Sequence, residues 1–330
     1  MGVLDVFAGA GGLSTGLAEA GFEVVGGVER DRDACETFAK AHPSAEVVEG
    51  DVGRVPLRRW RDEVEVVAGG PPCQPWSTGG KRLGPADARD GWPAYLRVLD
   101  EVRPRAFVAE NVAGLASRAR RAHLDALLGE LAARGFVVTS RLVDAAGYGV
   151  PQHRHRLVVV GVRGGPGYRF PEAGYGPGRP RPWVAAGSVV GIEALGVPNP
   201  SAVTYARRPD LRADPYGGHL YNGGGRPLDL ARPARTLLAS MGGNKTPWVD
   251  TAGVVPGYHA HLVAGGQPRA GLVPGARRIT VEEAALLQTF PPATAFAGAR
   301  SSRYRQVGNA VPPALARAVG AALAAHLARD

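Results

Sequence analysis

Cysteine is scarce in this chain: Cys35 and Cys73 are the only two in 330 residues. Two thiols cannot build a disulfide framework or a four-cysteine metal site, so a reducing compartment fits. Lysine is almost as rare. Lys40, Lys81 and Lys245 leave the other 36 of the 39 basic residues to arginine, whose planar fork suits phosphates and guanine edges. No run of 18 uninterrupted apolar residues occurs, and the opening MGVLDVFAGAGG enters a strand-like pattern without the basic and apolar regions of a leader. A soluble, cytoplasmic protein with no membrane partner is therefore expected.

Apolar residues make up 45% of the chain, enough for one large core and a smaller lobe. The net charge of +9 is unevenly placed: residues 1–163 carry 21 basic and 21 acidic groups, residues 164–330 carry 18 and 9. An excess of this size favours a nucleic-acid partner modestly, since arginine-rich proteomes make many basic proteins.

Residues 1–163 alternate short β-like runs (VLDVF, EVVGGVE, EVVAGG, AFVAEN, RLVVVGV) with helical patterns such as LSTGLAEAG, DACETFAKA and AHLDALLGELAARG. That alternation predicts an α/β doubly wound, mostly parallel sheet. Gly135 is placed to cap the last of these helices, and a strand is expected from 136 to 143. Between 164 and 276 the texture changes, with 22 glycines and 15 prolines in 113 positions. Long helices and regular strands are unexpected there, and the stretch reads as a second, smaller, loop-rich domain. Helical pattern returns in TVEEAALLQTF and again from Pro313, so residues 277–330 are expected to pack back on the first domain.

Gly9, Gly11 and Gly12 make a turn into a helix N-terminus, which lets backbone N–H groups approach a nucleotide-like ligand. A dinucleotide fingerprint would need glycine where Ser14 stands, while Glu29 at the end of the second strand suits a ribose diol. Nicotinamide and S-adenosylmethionine sites both remain open on these residues alone. In GGPPCQPWS, prolines 71, 72 and 75 stiffen the chain around Cys73 at a strand's C-terminal edge. A core cysteine needs no such setting, so Cys73 reads as a nucleophile. Glu110 and Asn111 follow a strand at the same edge, though a helix cap would look the same. In GVPQHRHRL, a period of two puts Gln152, Arg154 and Arg156 on one face, as a clamp for an anion or carbonyl, and His153 and His155 on the other. Neither that histidine pair nor His259 with His261 has a third ligand nearby, and no metal is expected.

The motifs DVFAGAGG, GPPCQPWS, ENV, QHRHR, RRITVEEAALLQTFP and QVGNAVPP occur in this order, and the chain resembles the bacterial-type DNA cytosine-5 methyltransferase family, which depends on S-adenosylmethionine. The resemblance covers 1–163 and 277–320. It makes 1–163 with 277–330 the catalytic and cofactor-binding domain and 164–276 the target-recognition domain, where ARTLL resembles the family's Thr-Leu pair.

The resemblance implies that Cys73 adds to C6 of a flipped cytosine, that Glu110 stabilises the N3-protonated intermediate, and that Arg156 with Arg154 holds the cytosine carbonyl and a phosphate. The cofactor, left as S-adenosylhomocysteine, would lie on Phe7, Ala8, Gly9, Ala10 and Gly12, with Glu29 on the ribose, Arg30 over the adenine, Asp51 and Val52 at its amine, Pro72 beside it, and Asn309, Ala310 and Val311 closing the pocket. Arg30 stands where an apolar or aromatic residue often covers the adenine, and Gly91 with Trp92 where leucine and an aromatic are usual. DNA contacts would come from Gln74, Ser77, Lys81, Arg82 and Gln152, and in the inserted lobe from Arg232, Arg235 and Thr236. Residues 77–90 would form the loop that closes over DNA. Expected partners are double-stranded DNA, engaged by a monomer in the nucleoid, and a cognate restriction endonuclease. A tRNA cytosine-5 methyltransferase of the same family is the nearest alternative, and a nicotinamide dehydrogenase the one outside it.

Overall fold

The structure, a computed structural model, describes residues 1–72 and 90–329. Valine-rich runs become the strands β1 (Gly2–Val6), β2 (Glu23–Glu29), β3 (Glu46–Glu49), β4 (Val66–Gly69), β5 (Ala106–Val112), β6 (Phe136–Asp144) and β7 (His155–Arg163); the central β1, β4, β5 and β7 are buried on both faces, as a sheet sandwiched between helices requires, and the edge strands β3 and β6 are largely exposed. They form one seven-stranded sheet in the order β3-β2-β1-β4-β5-β7-β6. All neighbours are parallel except at β7, which runs antiparallel to both β5 and β6.

Helices α1 (Gly12–Glu19), α2 (Arg32–Ala41), α3 (Trp92–Val102) and α4 (Arg121–Ala133) connect them. Asp31 caps α2 by accepting from the Ala34 N–H, and Gly135 takes φ 82° just past α4, the left-handed stop expected for it. Two apolar clusters cover the two faces of the sheet. The doubly wound, mostly parallel architecture is as expected, with β3 and α3 added.

Regular structure thins out after β7. Strands β8 (Tyr205–Asp210), β9 (His219–Tyr221), β10 (Trp248–Asp250) and β11 (Ala276–Arg278) pair only as two small ribbons, and α5 (Val254–Val263) supplies one ten-residue helix where none was expected. This stretch has its own core, in which Tyr205, Tyr221, Tyr258 and Trp248 pack together. Tyr168 and Phe170 belong instead to the main core, with the Tyr168 hydroxyl donating to the Val319 carbonyl.

The chain returns through α6 (Val281–Leu287), α7 (Arg300–Asn309) and α8 (Pro313–Leu327). A Thr280/Glu283 capping box starts α6. Helix α8 lies on α1, as Leu315, Val319 and Leu323 join Leu13 and Leu17 in one cluster. The α7–α8 stretch is apolar and long enough to cross a membrane, but it is 56% buried inside the protein and serves as core.

Candidate active site

Strands β1, β2, β4 and β5 end on the same edge of the sheet, where β7 begins: Val6 pairs with Val28 and Gly69, Gly69 with Ala109, and Val112 with Arg156. Open α/β sheets present their ligand sites on that edge. The turn after β1 is held in an uncommon shape, with Phe7 at φ 57°, Gly9 at 55° and Gly11 at 80°. Glu29 holds it there: Oε2 accepts from the Gly9 N–H at 3.0 Å, while Oε1 accepts from the Arg30 and Asp31 N–H groups. Gly12 meets the C-terminal motif so closely that a Cβ would lie 2.4 Å from the Val311 carbonyl oxygen. The two sequence-distant motifs are thereby in contact.

A cavity of about 420 Å³ opens beside this turn, lined by Phe7, Arg30, Asp51, Gly53, Pro72, Gly91 and Arg97 among others. Four expected cofactor residues, Phe7, Arg30, Asp51 and Pro72, line it together. Asp51 is exposed and accepts from the Gly53 N–H. Val52 is buried and turns its side chain into the core, and its carbonyl accepts from the Arg97 guanidinium. Ala8 and Ala10 are buried, Ala310 and Val311 nearly so, and Asn309 is exposed at the end of α7.

At the neighbouring strand ends, Arg156 Nε stands 2.6 Å from Glu110 Oε1, with both side chains almost buried. The approach is out of hydrogen-bond alignment, so Oε1 retains an unused acceptor position. Asn111, 3% exposed, donates from Nδ2 to the Pro71 carbonyl at 2.9 Å, and the Gly91 N–H donates to the Pro72 carbonyl at 2.8 Å. The chain on either side of 73–89 is thus pinned at the cavity mouth, below Glu110. Cys73, Gln74, Ser77, Lys81 and Arg82, and with them the expected closing loop, lie outside the described residues. The other thiol, Cys35, donates to the Glu29 carbonyl, and burial with nearby Glu29 pushes it up to about 12.

The alternation in QHRHR is present, but the clamp of three donors is not. Gln152 is fully buried, donating to Gln288 Oε1 and accepting from the Leu237 N–H. Arg154 is 1% exposed and spends its guanidinium on the carbonyls of Leu237 and Gly308. Burial, with Arg156 nearby, lowers Arg154 to about 9 against the pull of Glu110. Both side chains are engaged by partners in the core, Gln152 by the Gln288 side chain and the Leu237 N–H, Arg154 by two main-chain carbonyls. Gln152 as a DNA contact and Arg154 as a second cytosine clamp are therefore corrected to internal ties, leaving Arg156 beside Glu110. Thr236 is half-buried and donates from Oγ1 to the His153 carbonyl, while Arg232 and Arg235 are exposed, Arg232 near Asp214 and Asp229. His153 pairs with Asp144, and His259 with the Arg212 carbonyl.

Two contributors went unnoticed in the sequence. Arg97 reaches the cavity from mid-helix in α3, with no motif to mark it. Asp5, buried in β1, accepts from the Ser14 hydroxyl at 2.6 Å, and burial raises its carboxyl to about 7. A lone acid inside an otherwise apolar strand was the available signal.

Comparison with known proteins agrees with this geometry. The model of the family described as C-5 cytosine-specific DNA methylase matches residues 1–175 and 254–325. Type II methyltransferase M.Eco47II of Escherichia coli is 33% identical over 96% of this chain and 77% of its own length. Type II methyltransferase M.NgoMIV of Neisseria gonorrhoeae is 32% identical over 96% and 95%. The fold superposes on a Spodoptera frugiperda DNMT2 mutant with TM-score 0.71 at 16% identity, covering 96% and 97% of the two chains. It also superposes on Schizosaccharomyces (S. pombe) Dnmt2 methyltransferase with TM-score 0.70 at 15% identity, covering 100% and 99%.

Proposed function

Because the chain belongs to the C-5 cytosine-specific DNA methylase family and is therefore a DNA (cytosine-5)-methyltransferase, we propose that Cys73 is its nucleophile, Glu110 its acid and Arg156 the group that orients that acid. The observation that carries the reading is the Glu110–Arg156 pair beside the Pro71 and Pro72 carbonyls, which are held by Asn111 and Gly91. The described chain resumes at Asp90 beside the same cavity, and the assignment of Cys73 itself rests on its place in the GPPCQPWS motif. Cys35 is the poorer candidate, since its thiol is buried on α2, donates to the Glu29 carbonyl, and is pushed up by that burial away from the thiolate form.

Cytosine stacked in a duplex has both ring faces covered, so the base must be extruded before C6 can be attacked. The Cys73 thiolate then forms a bond to C6, and a proton from Glu110 reaches N3, which makes C5 the nucleophile. Arg156 holds the carboxyl in place and offers its remaining N–H groups to the cytosine carbonyl. Once C5 carries the methyl group, loss of the C5 proton, expulsion of the Cys73 thiolate and return of the N3 proton to Glu110 restore the neutral aromatic ring and the free enzyme.

S-adenosylmethionine supplies the electrophilic methyl group when bound. The residues present fit it: the cavity's volume lies in the range of sites for ligands of this size, roughly 300–1,000 Å³, and its lining sets the apolar Phe7 and Pro72 beside the polar Arg30 and Asp51. Phe7, Arg30, Asp51 and Pro72 would hold the adenosine, with Glu29 on the ribose. Glu29 keeps acceptor capacity after its three backbone partners, because a carboxylate offers about four lone-pair sites. Residues 164–276 act as the target-recognition domain, with a restriction endonuclease of the same specificity as functional partner. The relatives' designation as Type II methyltransferases supports duplex DNA over tRNA.

The test combines substitution and trapping. Cys73→Ala should abolish methyl transfer and leave S-adenosylmethionine affinity unchanged. Duplexes with 5-fluorocytosine at the target should trap wild-type protein covalently, since fluorine cannot leave as the proton does. Absence of a denaturation-resistant adduct on a duplex that the enzyme otherwise methylates would remove Cys73 from this role.

A further inference from the structure

A second cavity, of about 240 Å³, opens at the end of β6 between Arg141, Asp144, Tyr148, Glu172, Arg179 and Trp183. It is smaller than the roughly 300 Å³ at which pockets for free small molecules begin, so it suits one group of a polymer. Trp183 forms a wall. Its indole is 40% exposed, whereas Trp60, Trp92 and Trp248 are at most 2% exposed. It stands edge-on to His153, with ring centroids 4.8 Å apart, and Gly176 lies beneath it, where a Cβ would sit 2.7 Å from Nε1. His153 Nδ1 is 2.7 Å from Asp144 Oδ2, and its backbone N–H donates to the Ala234 carbonyl. The indole is therefore set on a fixed pedestal rather than left loose on the surface.

This pedestal adjoins the catalytic edge. Asp144 pairs with His155 and Val143 with Arg156, one strand away from Glu110. Of the two carboxylates in the lining, Asp144 is taken by His153, and Glu172 is approached by both Arg141 and Arg179 at 3.7 and 3.8 Å, too far for strong hydrogen bonds. Arg181 donates to the Tyr175 hydroxyl and, among the described residues, has no carboxylate partner. An exposed aromatic plane between guanidinium groups is the pattern that follows a nucleic-acid strand.

We propose that Trp183, with Arg179 and Arg181, is a ledge for the DNA backbone flanking the target cytosine, the indole packing on a deoxyribose and the guanidinium groups meeting phosphates. The ledge rests on duplex DNA being the substrate. Its role is to hold the strand beside the extruded base; although these residues fall within 164–276, they meet sugar and phosphate only, so the ledge should act alike on all sequences.

Binding to a duplex carrying the methylated sequence, measured across salt concentrations for wild type, Trp183→Ala, Trp183→Phe and the Arg179→Ala/Arg181→Ala double variant, tests this. Loss of two phosphate contacts should flatten the slope of log K against log[salt] by about 0.9 for each. Trp183→Ala should weaken binding by about 10-fold, within the range carried by one aromatic contact, with the salt slope kept and most of the affinity regained in Trp183→Phe. S-adenosylmethionine affinity equal to wild type reports an intact fold, and if Trp183→Ala fails that check the other variants decide. An unchanged slope in the double variant, or Trp183→Phe and Trp183→Ala both binding as wild type, overturns the ledge. Wild-type protein that neither binds nor methylates duplex DNA would instead overturn the functional reading, and the ledge with it.

Discussion

Glu110 and Asp5 are two buried carboxyl groups on neighbouring parts of one sheet, with different surroundings and different uses. Glu110 has a guanidinium 2.6 Å away and an open acceptor position facing the site. Glu110→Gln keeps the shape but cannot deliver a proton to N3. Turnover should fall by about 100-fold or more, the lower end of general-acid contributions, with DNA affinity nearly unchanged, and an unaltered turnover number would take Glu110 out of the mechanism. Asp5 is hydrogen-bonded by Ser14, and burial, with Glu29 nearby, raises it from 3.8 to about 7. A carboxyl raised in the folded state binds its proton more tightly there than in the unfolded chain. Its contribution to stability is complete below pH 3.8 and is lost as pH rises through about 7. Asp5→Asn imitates the protonated form at every pH. Chemical denaturation of the two proteins should give curves that converge near pH 4 and separate toward pH 8, the variant being the more stable there. Parallel curves would show that Asp5 does not titrate in this window.

At the scale of elements, the segment ahead of β7 ties three parts of the molecule together. Arg154 donates to Leu237 in the inserted stretch and to Gly308 at the end of α7, and Gln152 joins Leu237 to Gln288. Sequence periodicity placed these side chains on one face, which is correct, but a periodicity cannot say whether that face meets a substrate or another element. Arg154→Met leaves buried carbonyls without donors, each costing about 1–3 kcal/mol. We expect a lower denaturation midpoint together with weaker binding of both DNA and S-adenosylmethionine, because the two binding regions lose their common tie. A loss of turnover with stability and both affinities intact would restore Arg154 to direct contact with the substrate. Arg97 illustrates a different gap. Its guanidinium holds the carbonyls of Val52 and Val55, and it lines the cavity beside the turn after β1, yet on paper it is one arginine on an amphipathic helix.

At the scale of the whole molecule, the inserted stretch is partly self-contained and partly shared: Leu228, Leu237 and Met241 pack in one cluster with Ala284, Leu287 and Val307. The inserted stretch packs its aromatic residues around Trp248 and Tyr258, while Tyr168 and Phe170 anchor its beginning in the main core. Exchanging residues 164–276 for the matching lobe of a relative with another target, with Tyr168 and Phe170 retained, should move methylation to the donor's sequence. Sequencing of 5-methylcytosine in a methylation-free host expressing the chimera reads the outcome directly. An active chimera that still marks the original sequence would place specificity elsewhere. Lobes this polar and glycine-rich have little periodicity to read, and for that reason α5 was missed within it.

The sequence by itself determined the doubly wound sheet, its binding edge and the family to which the chain belongs. Buried valine runs, glycine at left-handed turns and the Pro-Pro-Cys constraint are local consequences of backbone geometry and desolvation, readable a few residues at a time. Tertiary structure decided which polar side chains are spent internally. Gln152 and Arg154 look like ligand-binding donors along the chain, and became ties once Leu237, Gln288 and Gly308, up to 154 residues away, supplied acceptors that water no longer could. The same packing brought Val311 against Gly12 and set Trp183 over His153. Hydrogen-bond satisfaction in a dry interior depends on what lies across the interface, and that is absent from any local pattern.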